Sequence, residues 1–301
     1  MARTLFARGA RGVLVQRAQQ RLQELRMPLD AADGLFGGNT ESALKQFQKM
    51  NGLPVTGNID FDLWPRLTGD PLPTIEERAL QLTAAIEGHG YTLAVGNFDG
   101  AGLTWGIIGF TVMAGQVQAI LDTVATEHPG MIRATFVDMT RELERLRKLS
   151  VAQQIAFLDG ISIPPGKHRL ADPWRIAFER LGGMPEVQEI QRRFAFKRYM
   201  DPARQTFKKL GLRSELGLAL CFDIHVQNGS IKPAAMAAIN ASGARSEPTL
   251  RTVIANAVAD QSREQFREDV RSRKLAIATG SGVVHGMKLD LENWGLADVP
   301  A

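Results

Sequence analysis

The segment Gly69-Asp70-Pro71-Leu72-Pro73-Thr74 breaks both kinds of regular secondary structure. Its prolines remove backbone donors and clash with a preceding helical turn, and its glycine is entropically costly in a helix or a strand. A chain of 301 residues with such a break has room for two domains, and the patterns on either side of it differ. We therefore expect residues 1–70 and 71–301 to be separate domains. Upstream, Leu14, Ala18, Leu22 and Leu25 recur at spacings of 4, 4 and 3, which traces one face of an amphipathic helix. A second helix is expected behind Asn39 or Thr40 as N-cap, with Ala43, Leu44 and Phe47 inward, and Phe61, Trp64 and Leu67 suggest a third. Turns at Asp33-Gly34 and Thr56-Gly57 would join them into a small bundle whose core is marginal by size.

Composition narrows what this arrangement serves. With 44% hydrophobic and 23% charged residues the chain is neither collagen-like nor disordered. Its one cysteine, Cys221, allows no internal disulfide and no cysteine zinc cluster. Mean hydropathy is −0.12, and the chain lacks any run of about 18 apolar residues, so no membrane insertion is expected. Arg8 and Arg11 interrupt what would have to be the apolar core of a secretory signal, and synthesis in the cytoplasm without a signal peptide is the expectation. The net charge of +4 is spread evenly: Lys and Arg exceed Asp and Glu by 9 to 7 up to residue 70 and by 27 to 25 beyond it. Neither part has a concentrated basic stripe or a zinc-finger, RNP or basic-zipper pattern, so nucleic acid is not an expected partner. Diffuse positive charge suits loose attraction to a polyanion such as a bacterial wall.

Within the first part, Asp33-Gly34-Leu35-Phe36-Gly37, Thr40, Ala43, Phe47-Gln48, Gly52-Leu53, Thr56-Gly57 and Trp64 follow one another in an order and spacing similar to the peptidoglycan-binding module of many wall-degrading enzymes, over about residues 9–68. Each of these positions also has a structural reading: glycines for turns, Thr40 for a cap, Phe36, Phe47 and Trp64 for core. The resemblance implies peptidoglycan as partner, and it names no ligand contact.

In the second part, Thr74-Ile75-Glu76-Glu77 is a capping box that opens a helix through Ile75, Ala79, Leu82, Ala85 and Ile86, stopped by Gly88 and Gly90. Glu87 thus sits on the last helical turn. The turn-rich stretch Gly96-Asn97-Phe98-Asp99-Gly100-Ala101-Gly102 follows, and Leu103 to Phe110 reads as a strand returning to the core. From about residue 112 the pattern is mostly helical, with amphipathic segments at 137–148, 185–199 and 262–274. A glutamate on a helix end and an aspartate in a glycine turn suit glycosidic hydrolysis, which needs one protonated carboxyl for the leaving oxygen and one ionised carboxyl for water or for the sugar cation.

The string Ala85-Ile86-Glu87, then Asp99-Gly100-Ala101-Gly102-Leu103-Thr104-Trp105-Gly106-Ile107-Ile108-Gly109-Phe110, resembles the catalytic signature of chitosanases of glycoside hydrolase family 46, which have a lysozyme-like fold. The likeness resumes at Tyr199, Asp201-Pro202-Ala203, Gly211-Leu212, Leu216-Gly217, Phe222-Asp223 and Gly229, and at Arg273-Lys274. It implies Glu87 as general acid, Asp99 as general base, Thr104 as the hydroxyl that holds the attacking water, and inversion with the carboxyls ~6.5–9.5 Å apart. It also makes Asp223 and Arg273 a buried ion pair that supports the acid. Two departures bear on substrate: the loop between Glu87 and Asp99 is short for the family, and Ala101 stands where a basic residue is expected. The glutamate, aspartate and threonine trio is similar to that of phage-type lysozymes as well, although eleven residues separate Glu87 from Asp99, more than in that family.

Other chemistry is less well provided for. Cys221 and His225 lie four apart, but Cys221 is embedded in the apolar run 218–222 and reads as core filling. The five histidines form no HExxH or comparable ligand motif, so neither metal nor cofactor is expected. His285, in the glycine-bounded turn 279–286, is a candidate to line a cleft, with a structural turn as the competing reading. The expected architecture is mainly α: a three-helix N-terminal module and a two-lobed, lysozyme-like α+β domain with a small β-hairpin. The expected protein is a monomeric endolysin, an N-acetylmuramidase that reaches the periplasmic wall after membrane breach or export. A chitosanase and a non-catalytic wall-binding or virion protein are the alternatives.

Overall fold

The computed structural model describes residues 2–301. The chain forms two compact units, one made of Met1–Ile86 with Tyr199–Ala301 and the other of Glu87–Arg198. The architecture is mainly α with short antiparallel ribbons, as expected. Among the described residues no helix is long and apolar enough to cross a membrane.

The first unit begins with strand β1 (Thr4–Phe6), helices α1 (Val13–Glu24) and α2 (Gly38–Met50), strand β2 (Ile59–Asp60) and helix α3 (Leu63–Thr68). The three helices lie close to the sequence expectation. The β1–β2 pairing, Thr4 with Asp60 and Phe6 with Ile59, is an addition that draws the N-terminus into the module. Phe6 meets Trp64 edge-on at 5.6 Å between ring centres, and both are buried. Two buried glutamines set the turns. Gln19 accepts from the Gly34 N–H at 2.7 Å and donates to the Leu35 carbonyl and to Thr40 Oγ1. Gln48 accepts from the Gly57 N–H at 2.8 Å and donates to Thr56 Oγ1 and the Asn58 carbonyl. Gly34 and Gly57 both have φ of +76°, which a side chain would strain. Thr40 is not a cap: α2 starts two residues earlier behind Gly37, and Thr40 is buried, with its hydroxyl engaged by Gln19.

The break at residues 69–74 opens with Gly69 at a φ of +75°, has no regular structure and leads to α4 (Ile75–Glu87), within a stretch up to Ile86 that belongs to one compact unit. The capping box forms as expected, with the Thr74 N–H on Glu77 Oε2 at 2.8 Å and the Glu77 N–H on Thr74 Oγ1 at 3.2 Å. Gly88, with φ of +72°, ends the helix.

The second unit continues with strands β3 (Ala94–Val95), β4 (Thr104–Trp105) and β5 (Phe110–Thr111), which pair in that order as an antiparallel sheet. The single strand expected over residues 103–110 is therefore a tight hairpin. Gly106 and Gly109, with φ of +85° and +67°, turn the chain between its arms. Helices α5 (Gln116–Glu127), α6 (Met131–Phe136), α7 (Thr140–Leu146) and α8 (Val151–Gly160) follow. The ribbon of β6 (Ser162–Ile163) and β7 (Arg169–Leu170) precedes α9 (Asp172–Gly182) and α10 (Pro185–Ala195). The aromatic cluster of Trp105, Phe136, Trp174 and Phe178 fills the core beneath this sheet.

The first unit resumes with α11 (Asp201–Lys209), α12 (Glu215–Asn228), α13 (Pro233–Ala241), α14 (Glu247–Asp260) and α15 (Arg267–Thr279), then a hairpin of β8 (Ser281–Val284) and β9 (Met287–Asp290). Residues 215–225 of α12 are all buried, so this helix is enclosed on every side, with the polar Glu215, Asp223 and His225 inside the unit along with its apolar residues. The buried carboxylate of Glu215 gathers the ends of the unit: it accepts from Arg3, from Arg78 at 3.0 Å and from the Ala297 N–H at 3.1 Å.

Candidate active site

Glu87 is the last residue of α4 and is half-buried. Asp99, exposed, lies in the loop between β3 and β4, and Thr104, buried, is the first residue of β4. All three belong to the second unit. The loop that carries Asp99 is braced at both ends. Asn97 accepts from the Gly102 N–H at 2.8 Å and donates to Asp159 at 2.7 Å, while its own N–H reaches Ser162 Oγ at 2.9 Å. Asp159 is also held by Lys167, at 2.7 Å to each oxygen. Hydrogen bonds from Lys167 and Asn97 keep its carboxyl below the ordinary range. Gly96 leaves no room for a side chain, since a Cβ there would come within 2.5 Å of the Lys167 carbonyl. Next to Asp99, the exposed Phe98 ring stacks on His168 at 4.5 Å and 19°.

Asp99 closes an Asx turn, with Oδ1 accepting from the Ala101 N–H at 3.0 Å. That bond fixes the carboxylate of this exposed residue and leaves Oδ2 without a hydrogen-bond partner among the described residues. On β4 the side chains alternate, so that Trp105 enters the core and donates to the Phe178 carbonyl at 3.1 Å while Thr104 lies on the opposite face. The Thr104 methyl packs toward Gly109, where a Cβ would lie 3.2 Å from it and 2.7 Å from His89 Cε1. His89, two residues beyond Glu87, and Thr104 therefore cover the same glycine. The hydroxyl of Thr104 has no hydrogen-bond partner among the described residues and still reaches solvent. Behind the sheet, the fully buried Gln191 accepts from the Ile107 N–H at 3.1 Å and donates to the Tyr91 carbonyl at 3.1 Å. It ties the segment after Glu87 to the β4–β5 turn.

The residues expected to support the site, Asp223, Arg273 and His285, lie in the first unit. Asp223 and Arg273 form the expected buried pair, with Arg273 Nη2 at 2.7 Å and Nε at 3.0 Å from the carboxylate. Sequence reasoning missed two further partners, Lys274, which donates to Asp223 Oδ2, and Thr83, whose hydroxyl donates to Oδ1 at 3.1 Å. Burial alone would push the Asp223 carboxyl up, but Arg273 and Lys274 overcome it and hold it well below the usual range. Thr83 lies on α4, so this cluster anchors that helix within the first unit. His285 stands apart from the cluster. It is exposed in the two-residue turn between β8 and β9, with φ of +49°, and pairs with Asp269 at 2.7 Å. Cys221 is fully buried and its thiol is pushed up by that burial, so it is core filling and no nucleophile.

A half-buried glutamate, an aspartate held by one oxygen and a solvent-facing hydroxyl are the equipment of a glycoside hydrolase. The family comparisons point to the same class. The model for glycosyl hydrolase family 46 matches residues 85–251, and one for a peptidoglycan binding domain matches residues 11–67. The chain belongs to glycosyl hydrolase family 46. No curated protein sequence matches it. Solved structures similar to the chain include a native chitosanase from Bacillus subtilis MY002, at 21% identity and a TM-score of 0.48 over 68% of this chain and 86% of that one. A mutant chitosanase from the same strain, complexed with 6 GlcN, is similar at 19% identity and 0.49 over 69% and 88%. A Gynuella sunshinyii family 46 chitosanase in complex with chitotetraose is similar at 18% identity and 0.47 over 69% and 87%.

Proposed function

We propose that this glycoside hydrolase is an endolysin-type N-acetylmuramidase that cuts the β-1,4 bond of the murein glycan with inversion. The observation that carries the reading is the presence on one chain of a family 46 domain and a peptidoglycan-binding domain. A wall-binding domain raises the local concentration of a hydrolase on an insoluble polymer without any new contact at the scissile bond. In this reading Glu87 protonates the leaving oxygen. Asp99, oriented by its Asx turn, takes a proton from water through its open oxygen, and the Thr104 hydroxyl holds that water. The Asn97 brace and the Gln191 tie keep the loop and sheet in place while charge shifts.

Membership of family 46 favours a second reading, hydrolysis of chitosan. Chitosan is a polycation that acidic surfaces attract, and a net charge of +4 offers it little. The two readings share the same carboxylates and differ in substrate. The site is tested with Glu87→Gln and Asp99→Asn on purified murein and on chitosan. Each variant is expected to lose about 10²–10⁴-fold in rate, with the polymer cut by the wild type identifying the substrate. Wild-type rates in both variants would remove these residues from the chemistry.

A further inference from the structure

The N-terminal module contains a cavity of about 290 Å³ that the catalytic reading does not use. Its apolar wall includes Leu53, Pro54 and Leu63, and its rim carries Asp60, Asp62 and Arg66. Asp60 spends one oxygen on the Leu63 N–H at 2.7 Å. Neither Asp62 nor Arg66 has an ion-pair partner among the described residues. The amide of Gln48, also in the lining, is fully engaged by Gly57, Thr56 and Asn58. No aromatic ring lines the cavity. A sugar-binding site calls for a stacking ring, and none is present among the described residues of the lining, although the Asn58 side-chain amide, unlike that of Gln48, is uncommitted. What it offers is charge of both signs around a small apolar recess near the lower end of the usual ligand-pocket size.

We propose that this cavity binds a zwitterionic portion of the wall's stem peptide, with Asp60 and Asp62 receiving an ammonium group, Arg66 a carboxylate, and Leu53, Pro54 and Leu63 the small alanine side chain between them. The proposal rests on the reading that the chain acts on murein, and it names the part of the polymer that the module recognises. Peptide recognition here would leave the glycan strand free for the hydrolase.

The full-length protein is titrated calorimetrically with a stem tetrapeptide that carries a free side-chain amine and a terminal D-alanine, with the same peptide N-acetylated at that amine, and with an N-acetylglucosamine tetramer. The free peptide is expected to bind and the acetylated one to bind more weakly. Asp62→Asn and Arg66→Gln are each expected to weaken binding about fivefold, and the double variant about twenty-fold, while Arg26→Gln, outside the cavity, leaves it unchanged. All three residues are exposed, so the variants keep their fold. Sedimentation with purified wall sacculi separates the two levels of argument. If wild type sediments with sacculi but ignores the peptide, binds the sugar tetramer instead, or binds the peptide equally in all variants, the peptide site is overturned and the wall reading stands. If wild type does not sediment with sacculi, both are overturned.

Discussion

Replacing Asp223 with asparagine removes one negative charge from a site where Asp223 and Lys274 are 0% exposed and Arg273 is 1% exposed. Two cations are left in the interior without their shared carboxylate. Breaking a buried ion pair from one side costs about 3–5 kcal/mol, because the remaining charge keeps its desolvation penalty and loses its compensation. The loss is a large share of the ~5–15 kcal/mol that holds a typical domain folded. For a unit of this size it corresponds to a fall of about 6–20 °C in melting temperature. Urea unfolding followed by circular dichroism, with the two units' transitions resolved, measures it. The acid limb adds a second reading. A carboxyl held below its ordinary value contributes stability that is fully present above about pH 4 and is lost as pH falls toward the lowered value. Wild type therefore loses stability on acidification with a slope that Asp223→Asn lacks. Replacing the cluster as a whole, with Asp223→Leu, Arg273→Met and Lys274→Met, is expected to recover most of the loss, since a buried ion cluster and an apolar one of similar volume are often close in stability. A single-variant cost under about 1 kcal/mol would refute the reasoning, because it would mean that the cations find water or other acceptors at no penalty.

Two further predictions concern the second unit. Asn97→Ala removes the bonds to Gly102 and Asp159 and is expected to lower kcat on the polymer with little change in melting temperature, since the loop is near the surface; equal kcat in variant and wild type would deny the loop a positioning role. Gln191→Leu leaves the Ile107 N–H and the Tyr91 carbonyl buried without their partner and is expected to cost about 2–4 kcal/mol in chemical denaturation; a change within ~0.5 kcal/mol would show that the tie carries no load.

Local signals in the sequence were legible where the chemistry is local. The Thr74–Glu77 box opens α4 and Gly88 closes it, so the position of Glu87 on a helix end follows from neighbours within one turn. The helices α1, α2 and α3 follow from apolar spacing. Thr40 reads as a cap because a threonine before an apolar run has that pattern, and only the three-dimensional position of Gln19 shows that its hydroxyl is used elsewhere. The stretch 103–110 reads as one strand because its apolar residues are continuous, whereas Gly106 and Gly109 carry positive φ and fold it into a hairpin. The partners of the site were out of reach. Asn97 finds Asp159 across 62 positions and Lys274 finds Asp223 across 51, and nothing near either residue encodes the other. The paired use of Gln19 and Gln48 to hold glycine turns was equally hidden, since glutamine in a helix reads as surface.

The proposal that this family 46 protein is an N-acetylmuramidase is tested most directly by digesting purified murein with the wild-type protein and weighing the products. Fragments ending in reducing N-acetylmuramic acid, absent after treatment with Glu87→Gln, are the predicted result. Anhydro-muramic ends, reducing N-acetylglucosamine ends, or intact murein alongside efficient cleavage of chitosan would contradict it.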